Sequence, residues 1–438
     1  MGFVPVWSMN VEELKRILAD QWETMSEKLE RENIVERELR EKILKNFGPT
    51  AHIITGPRRS GKSVLSATLP GRPLYVNFED PTMAGFTIRD YKKLLQAGYE
   101  LFGDFDYIVL DEVQEVEGWE RMVSALRESY PTVVTGSNAR LLSREFSTYL
   151  TGRYLSYTLL PFSFGEFLAY KGVELEVETT KDEARIKRAL LEYIERGGFP
   201  EALRFGREYL VNLYSDIITR DVIVRYGVRN VRELKEVAFY LFSNFSGRFT
   251  YRKVKNVLGI GNVETVKNYV EYLESAYLLF ELPKFSFKPK EVLRGYKKVY
   301  AVDTGMLNAV VPKVSENIGR LMENAVFLEL LRLKHYGRPE LELYYYRDTK
   351  GEVDFVAREN GSVELIQVTY ASDEGEIAKR ELENLFRVME LFDVKTGTLV
   401  TWDYSGEIRR DELKVKAVPL WRWLLNSRIN LFNPSVQS

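Results

Sequence analysis

From position 10 onward, apolar residues recur every three or four positions: Val11, Leu14, Ile17, Leu18, Trp22, Met25 and Leu29. That spacing puts them on one stripe and predicts helix across residues 10–46. The charged run from Glu30 to Lys45 then reads as the solvated face of the same helical region. At His52 the pattern changes. Short apolar runs at His52–Thr55, Leu74–Phe78, Tyr107–Leu110 and Thr132–Thr135 alternate with helical segments at Val64–Leu69, Tyr91–Ala97 and Trp119–Glu128. Strands alternating with helices imply a parallel sheet covered on both faces.

Beyond Pro161 the pattern is helical to about residue 245, interrupted by the polar stretch Lys171–Lys187 and broken at Gly197-Gly198-Phe199-Pro200. Two short helices, Tyr251–Leu258 and Val263–Leu273, flank Gly259-Ile260-Gly261-Asn262, and a strand-like tail follows to residue 283. That length and glycine placement suit a helix-turn-helix whose second helix could enter a major groove. From 296 a mixed pattern returns: helix 317–335, strands 341–346, 352–358 and 362–370, helix 375–391 and strand 396–402. The expected organisation is a helical segment (1–48), an α/β core (49–160), a helical lid (161–235), a winged helix-turn-helix (236–300), a second α/β domain (301–425) and a tail (426–438).

Composition narrows the chemistry. The 438 residues carry a formal charge of -2, so nothing global points to nucleic acid. Locally, residues 245–300 hold Arg248, Arg252, Lys253, Lys255, Lys267, Lys284, Lys288, Lys290, Arg294, Lys297 and Lys298, a surplus of about six positive charges over the acids there. Such a surplus could serve phosphate contacts to double-stranded DNA, or could simply be solvated on a module that packs against protein. With no Cys and only His52 and His335, a disulfide framework is excluded and a structural zinc site is not expected. The opening MGFVPVWSMN lacks the charge and apolar run of a signal peptide, and no stretch approaches the roughly 20 apolar residues of a membrane span. A cytoplasmic protein without a membrane partner is the expectation.

Two motifs carry the chemistry. Gly56-Pro57-Arg58-Arg59-Ser60-Gly61-Lys62-Ser63 matches G-x-x-x-x-G-K-[ST], after an apolar strand and before a helix that opens through Val64. Glycines let the backbone curl so that its N–H groups face phosphates, Lys62 reaches the β- and γ-phosphates, and the Ser63 hydroxyl ligates Mg²⁺. The helix adds its positive end to the same anion. The second motif is the apolar strand Tyr107–Leu110 ending in Asp111-Glu112. Asp111 is placed to hold magnesium and Glu112 to deprotonate the attacking water. Asn138, after the next strand, is a candidate for the γ-phosphate or the water, and equally an ordinary turn residue. Arg153 is a candidate charge donor to the γ-phosphate, in cis or toward a neighbouring subunit of a homo-oligomer, and equally a surface arginine; Arg144 is a weaker candidate of the same kind.

With these residues in view, positions 50–165 resemble the ATPase module of a large prokaryotic, archaeal-type family related to AAA+ and STAND ATPases, through GPRRSGKS, LDEVQ, TGSNARLLS and TGRYLSYTLLPFSFGEFL. GGFPEAL, Ile218-Thr219-Arg220-Asp221, VYAVDTGML and GEVDF extend the resemblance over most of the chain. It implies ATP and Mg²⁺ as cofactors, and a sensor strand lying between the P-loop strand and the strand of Asp111. It also implies a C-terminal domain like a PD-(D/E)XK nuclease, a restriction-endonuclease-like fold. Such a nuclease needs a helical Glu, a strand Asp and then Glu-x-Lys. Glu323 and Asp354 fit the first two places, but Gln367-Val368-Thr369 stands at the third. An inactive nuclease fold used for binding or packing is therefore expected, with Lys379 or Arg380 on the following helix as candidate substitutes for the lysine. The output expected of the ATPase is action on DNA through the winged helix or, alternatively, gating of a protein partner.

Overall fold

The computed structural model describes residues 9–142, 152–175, 177–288, 292, 295–312 and 317–432. Arg144, Lys290 and Arg294 lie outside these. The chain divides into two compact units, Met1–Leu159 and Leu160–Ser438.

The first unit begins with α1 (Val11–Arg31), which Asn10 caps by accepting the Glu13 N–H. Its stripe buries Leu14, Ile17, Leu18 and Met25, as the periodicity predicts. The helix does not continue to residue 46. It stops at Arg31, and a short α2 (Leu39–Leu44) follows. Nor is the charged run all solvated, because Arg37 and Glu38 are buried. The reason is local: Arg37 Nη1 donates to the Ser60 carbonyl at 2.6 Å, so the chain must turn to bring that side chain onto the phosphate motif.

Next come β1 (Ala51–Thr55), α3 (Lys62–Ala67), β2 (Pro73–Asn77), α4 (Tyr91–Phe102), β3 (Tyr107–Asp111), α5 (Trp119–Leu126) and β4 (Thr132–Gly136). The four strands lie within a residue, at either end, of where the apolar runs put them. A fifth, β5 (Tyr154–Thr158), was not legible as a strand: it lies at the sheet edge, and only its last two residues are fully buried. Among the described residues the strands form one parallel sheet in the order β2-β3-β4-β1-β5, the five-stranded sheet of P-loop NTPases. β4 lies between β1 and β3, where the resemblance puts the sensor strand. Ile53, Val76, Ile108, Leu110 and Val134 are fully buried in it.

The second unit opens with helices α6 (Phe164–Lys171), α7 (Thr180–Arg196), α8 (Pro200–Phe205) and α9 (Arg207–Asp216), then a π-helical stretch at Ile217–Val224. α7 begins inside the stretch expected to be irregular. Its start is a capping box in which Thr179 accepts the Asp182 N–H and Asp182 accepts the Thr179 N–H, a signal hidden by the surrounding polar residues. After α10 (Val231–Ser243) come β6 (Arg248–Phe249), α11 (Tyr251–Leu258), α12 (Val263–Ser275), β7 (Leu279–Pro283) and β8 (Lys297–Ala301). The three strands form an antiparallel sheet in the order β6-β8-β7.

A separate mixed sheet follows α13 (Thr304–Val310) and α14 (Ile318–Tyr336). Its strands are β9 (Glu342–Arg347), β10 (Glu352–Glu359), β11 (Ser362–Val368), β12 (Thr396–Thr401), β13 (Gly406–Arg410) and β14 (Leu413–Pro419). They run in the order β13-β14-β12-β11-β10-β9. α15 (Lys379–Phe392) buries Leu385, Phe386 and Met389 in the same apolar cluster as Val353, Leu365, Leu399 and Val415 of the sheet. The closing helix α16 (Leu420–Phe432) buries Trp421. The fold is thus α/β, with a parallel P-loop sheet, helices and a separate mixed-sheet region. Among the described residues no helix is long and apolar enough to cross a membrane.

Candidate functional site

The loop between β1 and α3 has the backbone that its sequence requires. Gly56 has φ 150° and Gly61 φ 96°, conformations that disfavour a side chain, and Arg59 is also left-handed at φ 65°. Gly56 is further constrained by contact: a Cβ there would stand 2.1 Å from the Leu159 carbonyl oxygen. Lys62 is buried, and its Nζ donates to the carbonyls of Gly56 (3.2 Å) and Pro57 (3.1 Å). Ser60 Oγ is buried without a hydrogen-bond partner. Arg58 pairs with Glu79 at 2.8 Å, while Pro57 is buried and Val64 half-buried in the loop's flanks.

Below the loop, parallel register brings three strand ends together. Asp111 closes β3; Tyr75 OH donates to its Oδ2 at 2.6 Å, and the Thr135 hydroxyl of β4 donates to its Oδ1. The Ser63 hydroxyl also lies beside this carboxylate, close enough to favour its charged form. Burial raises the pKa of Asp111 above the usual carboxylate range, the Glu112 charge raises it further, and the three hydroxyls oppose the shift. Glu112 is left-handed (φ 49°, ψ 49°), and its N–H donates to Thr135 Oγ1 at 3.0 Å. That turn carries Glu112 Oε1 to 3.8 Å from Lys62 Nζ, while Gln114 Nε2 donates to Glu112 Oε2 at 2.5 Å.

Lys62, Ser63, Asp111 and Glu112 are therefore brought together. Asn138 is buried two residues beyond the end of β4, whose Gly136 is in register with Thr55, so it emerges at the edge from which the phosphate loop springs. Its Oδ1 accepts the Arg140 N–H at 2.8 Å. Arg153 is not brought there. It precedes β5, at the start of a strand whose far end, Thr158, is level with Thr55. Five residues of strand, roughly 16 Å, separate the two levels. Arg153 is exposed and lies 3.7 Å from Glu128. Within the chain, this register sets Arg153 about a strand's length from the loop. Three residues that motif reading missed are Arg37, Tyr75 and Thr135. Only Thr135 left a trace in the sequence, as the polar end of an apolar run before Gly-Ser-Asn.

The second set of candidates also converges, with one correction. Glu323 of α14, Asp354 of β10 and Gln367 of β11 meet, and Gln367 Nε2 donates to Asp354 Oδ2 at 2.7 Å. Lys379 and Arg380 are exposed. The lysine at this pocket is Lys298 of β8, buried at 2% exposure, which the sequence put among the solvated basic residues. Lys297 is likewise engaged, paired with Glu281. The exposed positions of α12 are Glu264, Lys267 and Glu271, with Lys267 3.5 Å from Glu264, so that helix face is not basic.

The motifs GGFPEAL, VYAVDTGML and PFSFGEF also meet. Phe162 N donates to the Gly198 carbonyl (2.7 Å), and Gly198 N to Asp303 Oδ2 (2.6 Å). Arg332 Nη2 donates to the carbonyls of Pro161 (2.9 Å) and Phe162 (3.0 Å). A Cβ at Gly198 would lie 2.4 Å from the Phe162 carbonyl oxygen, so the break in the helical pattern is also a close backbone crossing.

Comparison with known proteins agrees with this geometry. Residues 49–168 match a model described as an AAA domain. Residues 187–317 and 318–423 match two domains of unknown function, DUF8612 and DUF4143. An uncharacterized protein of Methanocaldococcus jannaschii, MJ1544, is 32% identical over 416 residues, covering 90% of this chain and 91% of that protein. An uncharacterized protein of Haemophilus influenzae is 31% identical over 390 residues, covering 84% of this chain and 93% of its own. Among solved structures, a STAND ATPase with a tetratricopeptide repeat sensor from Pyrococcus horikoshii is 14% identical with TM-score 0.26, over 69% of this chain and 46% of that one. The assembly of McrB AAA+ hexamers with bound McrC from Thermococcus gammatolerans gives 13% and 0.22, over 46% of this chain and 52% of that one. Scores that low carry no functional argument. The sequence matches do suffice: with the M. jannaschii and H. influenzae proteins, the chain belongs to a P-loop AAA+ ATPase-like family.

Proposed function

We propose that the protein binds ATP with Mg²⁺ and hydrolyses it. The observation that carries this reading is the convergence of the Ser63 and Thr135 hydroxyls on the Asp111 carboxylate, beneath a loop whose lysine faces Glu112 at 3.8 Å. The donor set fits the cofactor. A hydroxyl and a carboxylate are hard oxygen ligands of the kind Mg²⁺ takes, and the buried, unpartnered Ser60 Oγ leaves a polar atom for a phosphate or its water. Ser63 and Asp111 would hold the metal, Asp111 directly or through water. Bound there, Mg²⁺ supplies positive charge to the β- and γ-phosphate oxygens.

The chain's own residues divide the remaining work. Residues Gly56 to Val64 offer backbone N–H groups to the phosphates, and Lys62 adds a mobile ammonium. Glu112 takes the proton of the attacking water, held in place by the Gln114 amide. Asn138 orients the γ-phosphate or that water. Arg153 would act only across a subunit boundary, in a homo-oligomer. Calorimetry of the purified, folded protein with Mg-ATP, followed by phosphate release, tests the whole reading. Saturable heat and turnover are expected, and no heat for any nucleotide overturns it.

For the output we favour gating of a protein partner over action on DNA. Residues 231–301 run helix, strand, two helices and two strands, an order that supports a winged helix. The exposed residues of α12 include two glutamates against one lysine, and two of the lysines counted toward a phosphate-binding surface are tied to carboxylates. The mixed sheet, on this reading, is a nuclease-like domain kept for packing or binding. A gel shift with duplex DNA at low salt separates the two outputs. No shift is expected; a salt-sensitive shift with DNA-stimulated turnover restores the DNA reading.

A further inference from the structure

The pocket around Lys298 belongs to the second unit and needs none of the ATPase reading. Its Nζ lies 2.8 Å from Glu323 Oε1, 2.8 Å from Glu352 Oε1 and 2.8 Å from Asp354 Oδ1. An ammonium has three N–H donors; here two are hydrogen-bonded to Glu323 and Asp354, and Glu352 pairs with the same charge. The other atoms are fixed as well. Tyr300 OH donates to Glu323 Oε1 at 2.7 Å, and the Val368 N–H and Gln367 Nε2 donate to Asp354 Oδ2 at 3.1 and 2.7 Å. Arg347 holds Glu352 Oε2 at 3.0 Å. A fourth acid, Glu381 of α15, has its pKa raised chiefly by burial and further by the Asp354 charge, and its Oε2 is buried without a hydrogen-bond partner.

Three oxygens from a helix and a strand, converging on one point and fixed from behind, are what a hard divalent cation asks of its ligands. A single positive charge sits at that point, and it is covalently attached to β8. With the ammonium in place, a divalent ion would have to share the pocket with a like charge about 3 Å away. Among the described residues no group of acids or histidines is arranged to hold a metal. That agrees with a pocket set around a nitrogen at 2.8 Å, since metal–oxygen bonds are shorter at about 2.0–2.6 Å.

We propose that the Glu323–Glu352–Asp354 pocket is a divalent-cation site in which the tethered ammonium of Lys298 takes the place of the metal. β8 thereby closes the pocket with its own side chain. The site takes no Mg²⁺ or Mn²⁺ while Lys298 is present, and it becomes a site for either once that side chain is neutral.

The test is Mn²⁺ binding to the full-length, nucleotide-free chain, read by electron paramagnetic resonance, with thermal unfolding in parallel. Wild type and Asp354→Asn are expected to bind Mn²⁺ alike, because the pocket contributes nothing. Lys298→Met is expected to unfold roughly 5–10 °C lower in chelator, since it leaves buried carboxylates uncompensated. It should also bind one more Mn²⁺ per chain than wild type, and millimolar Mn²⁺ should restore most of its lost midpoint. The double variant Lys298→Met, Asp354→Asn should lose both gains. Two results overturn the proposal: wild-type Mn²⁺ binding that falls in Asp354→Asn, or a folded Lys298→Met with no extra Mn²⁺. The first needs only wild type and Asp354→Asn, so it remains decisive if Lys298→Met does not fold.

Discussion

Two pockets of this chain set buried carboxylates against a lysine, and they do opposite things with it. At the P-loop, Lys62 donates to carbonyls of its own loop and stands 3.8 Å from Glu112, so its charge is only loosely spent. In the mixed-sheet region, Lys298 is paired with three carboxylates, each at 2.8 Å. Asp111 is held by hydroxyls, which satisfy its oxygens without neutralising them, and burial raises its pKa. Asp354 is held by a cation. Acid type and burial are similar in the two places, so neither separates a ligand site from a closed one. What separates them is whether the opposing charge is already committed.

The sharpest way to break this contrast is to remove the loosely held charges. Lys62→Ala should lower ATP turnover by at least about 10³-fold, and Glu112→Gln should keep Mg-ATP binding while turnover falls by about 10²–10⁴-fold. Calorimetry paired with phosphate release checks both; near-normal turnover in Glu112→Gln would remove it from its role as base.

A third buried carboxylate, Asp303, shows what happens with neither lysine nor ligand. It accepts N–H groups of Gly198 and Met306, and burial raises its pKa from 3.8 to about 6. Because the folded value is the higher one, its contribution to stability is fully present below about pH 4 and is lost as the pH rises through about 6. Asp303→Asn cannot titrate. The stability margin of wild type over this variant should therefore shrink by roughly 2 kcal/mol between pH 4 and 7, measured by denaturant unfolding. A constant margin would show that the carboxyl does not titrate in that window.

Thr135→Val removes the hydroxyl that ties Asp111 to Glu112 and should weaken Mg-ATP binding by about tenfold, with little change in global stability. The smallest effect belongs to Arg153→Ala. Turnover of dilute protein should stay within about twofold of wild type, because the register holds Arg153 at the end of β5 opposite the loop. A larger loss that appears only at high protein concentration would instead reveal a donor acting between subunits.

Much of the first unit was legible in the sequence because its signals are local. A glycine-rich loop needs particular backbone angles, and a buried parallel strand needs a continuous apolar run. Residues 56–63 and the four apolar runs supply these within a few positions. What escaped depends on distance along the chain. Arg37 looked solvated because its acceptor, the Ser60 carbonyl, lies 23 residues away. Tyr75 is an ordinary strand residue until β3 is paired beside it. Edge strand β5 buries too little to show a pattern. Lys298 is the furthest case. Adjacent to Lys297 and near Arg294, it reads as part of a basic surface, and only the placement of α14 and β10 makes it a core residue.

That placement of Lys298 also bears on how the chain can change over generations. Losing the lysine alone strands three acids in the interior, and losing one acid alone leaves a charged amine with fewer acceptors. Either first step is costly, so the pocket can be converted to one that takes a metal only through an unstable intermediate or by changing two positions together. The lysine and its acids therefore constrain one another's substitution.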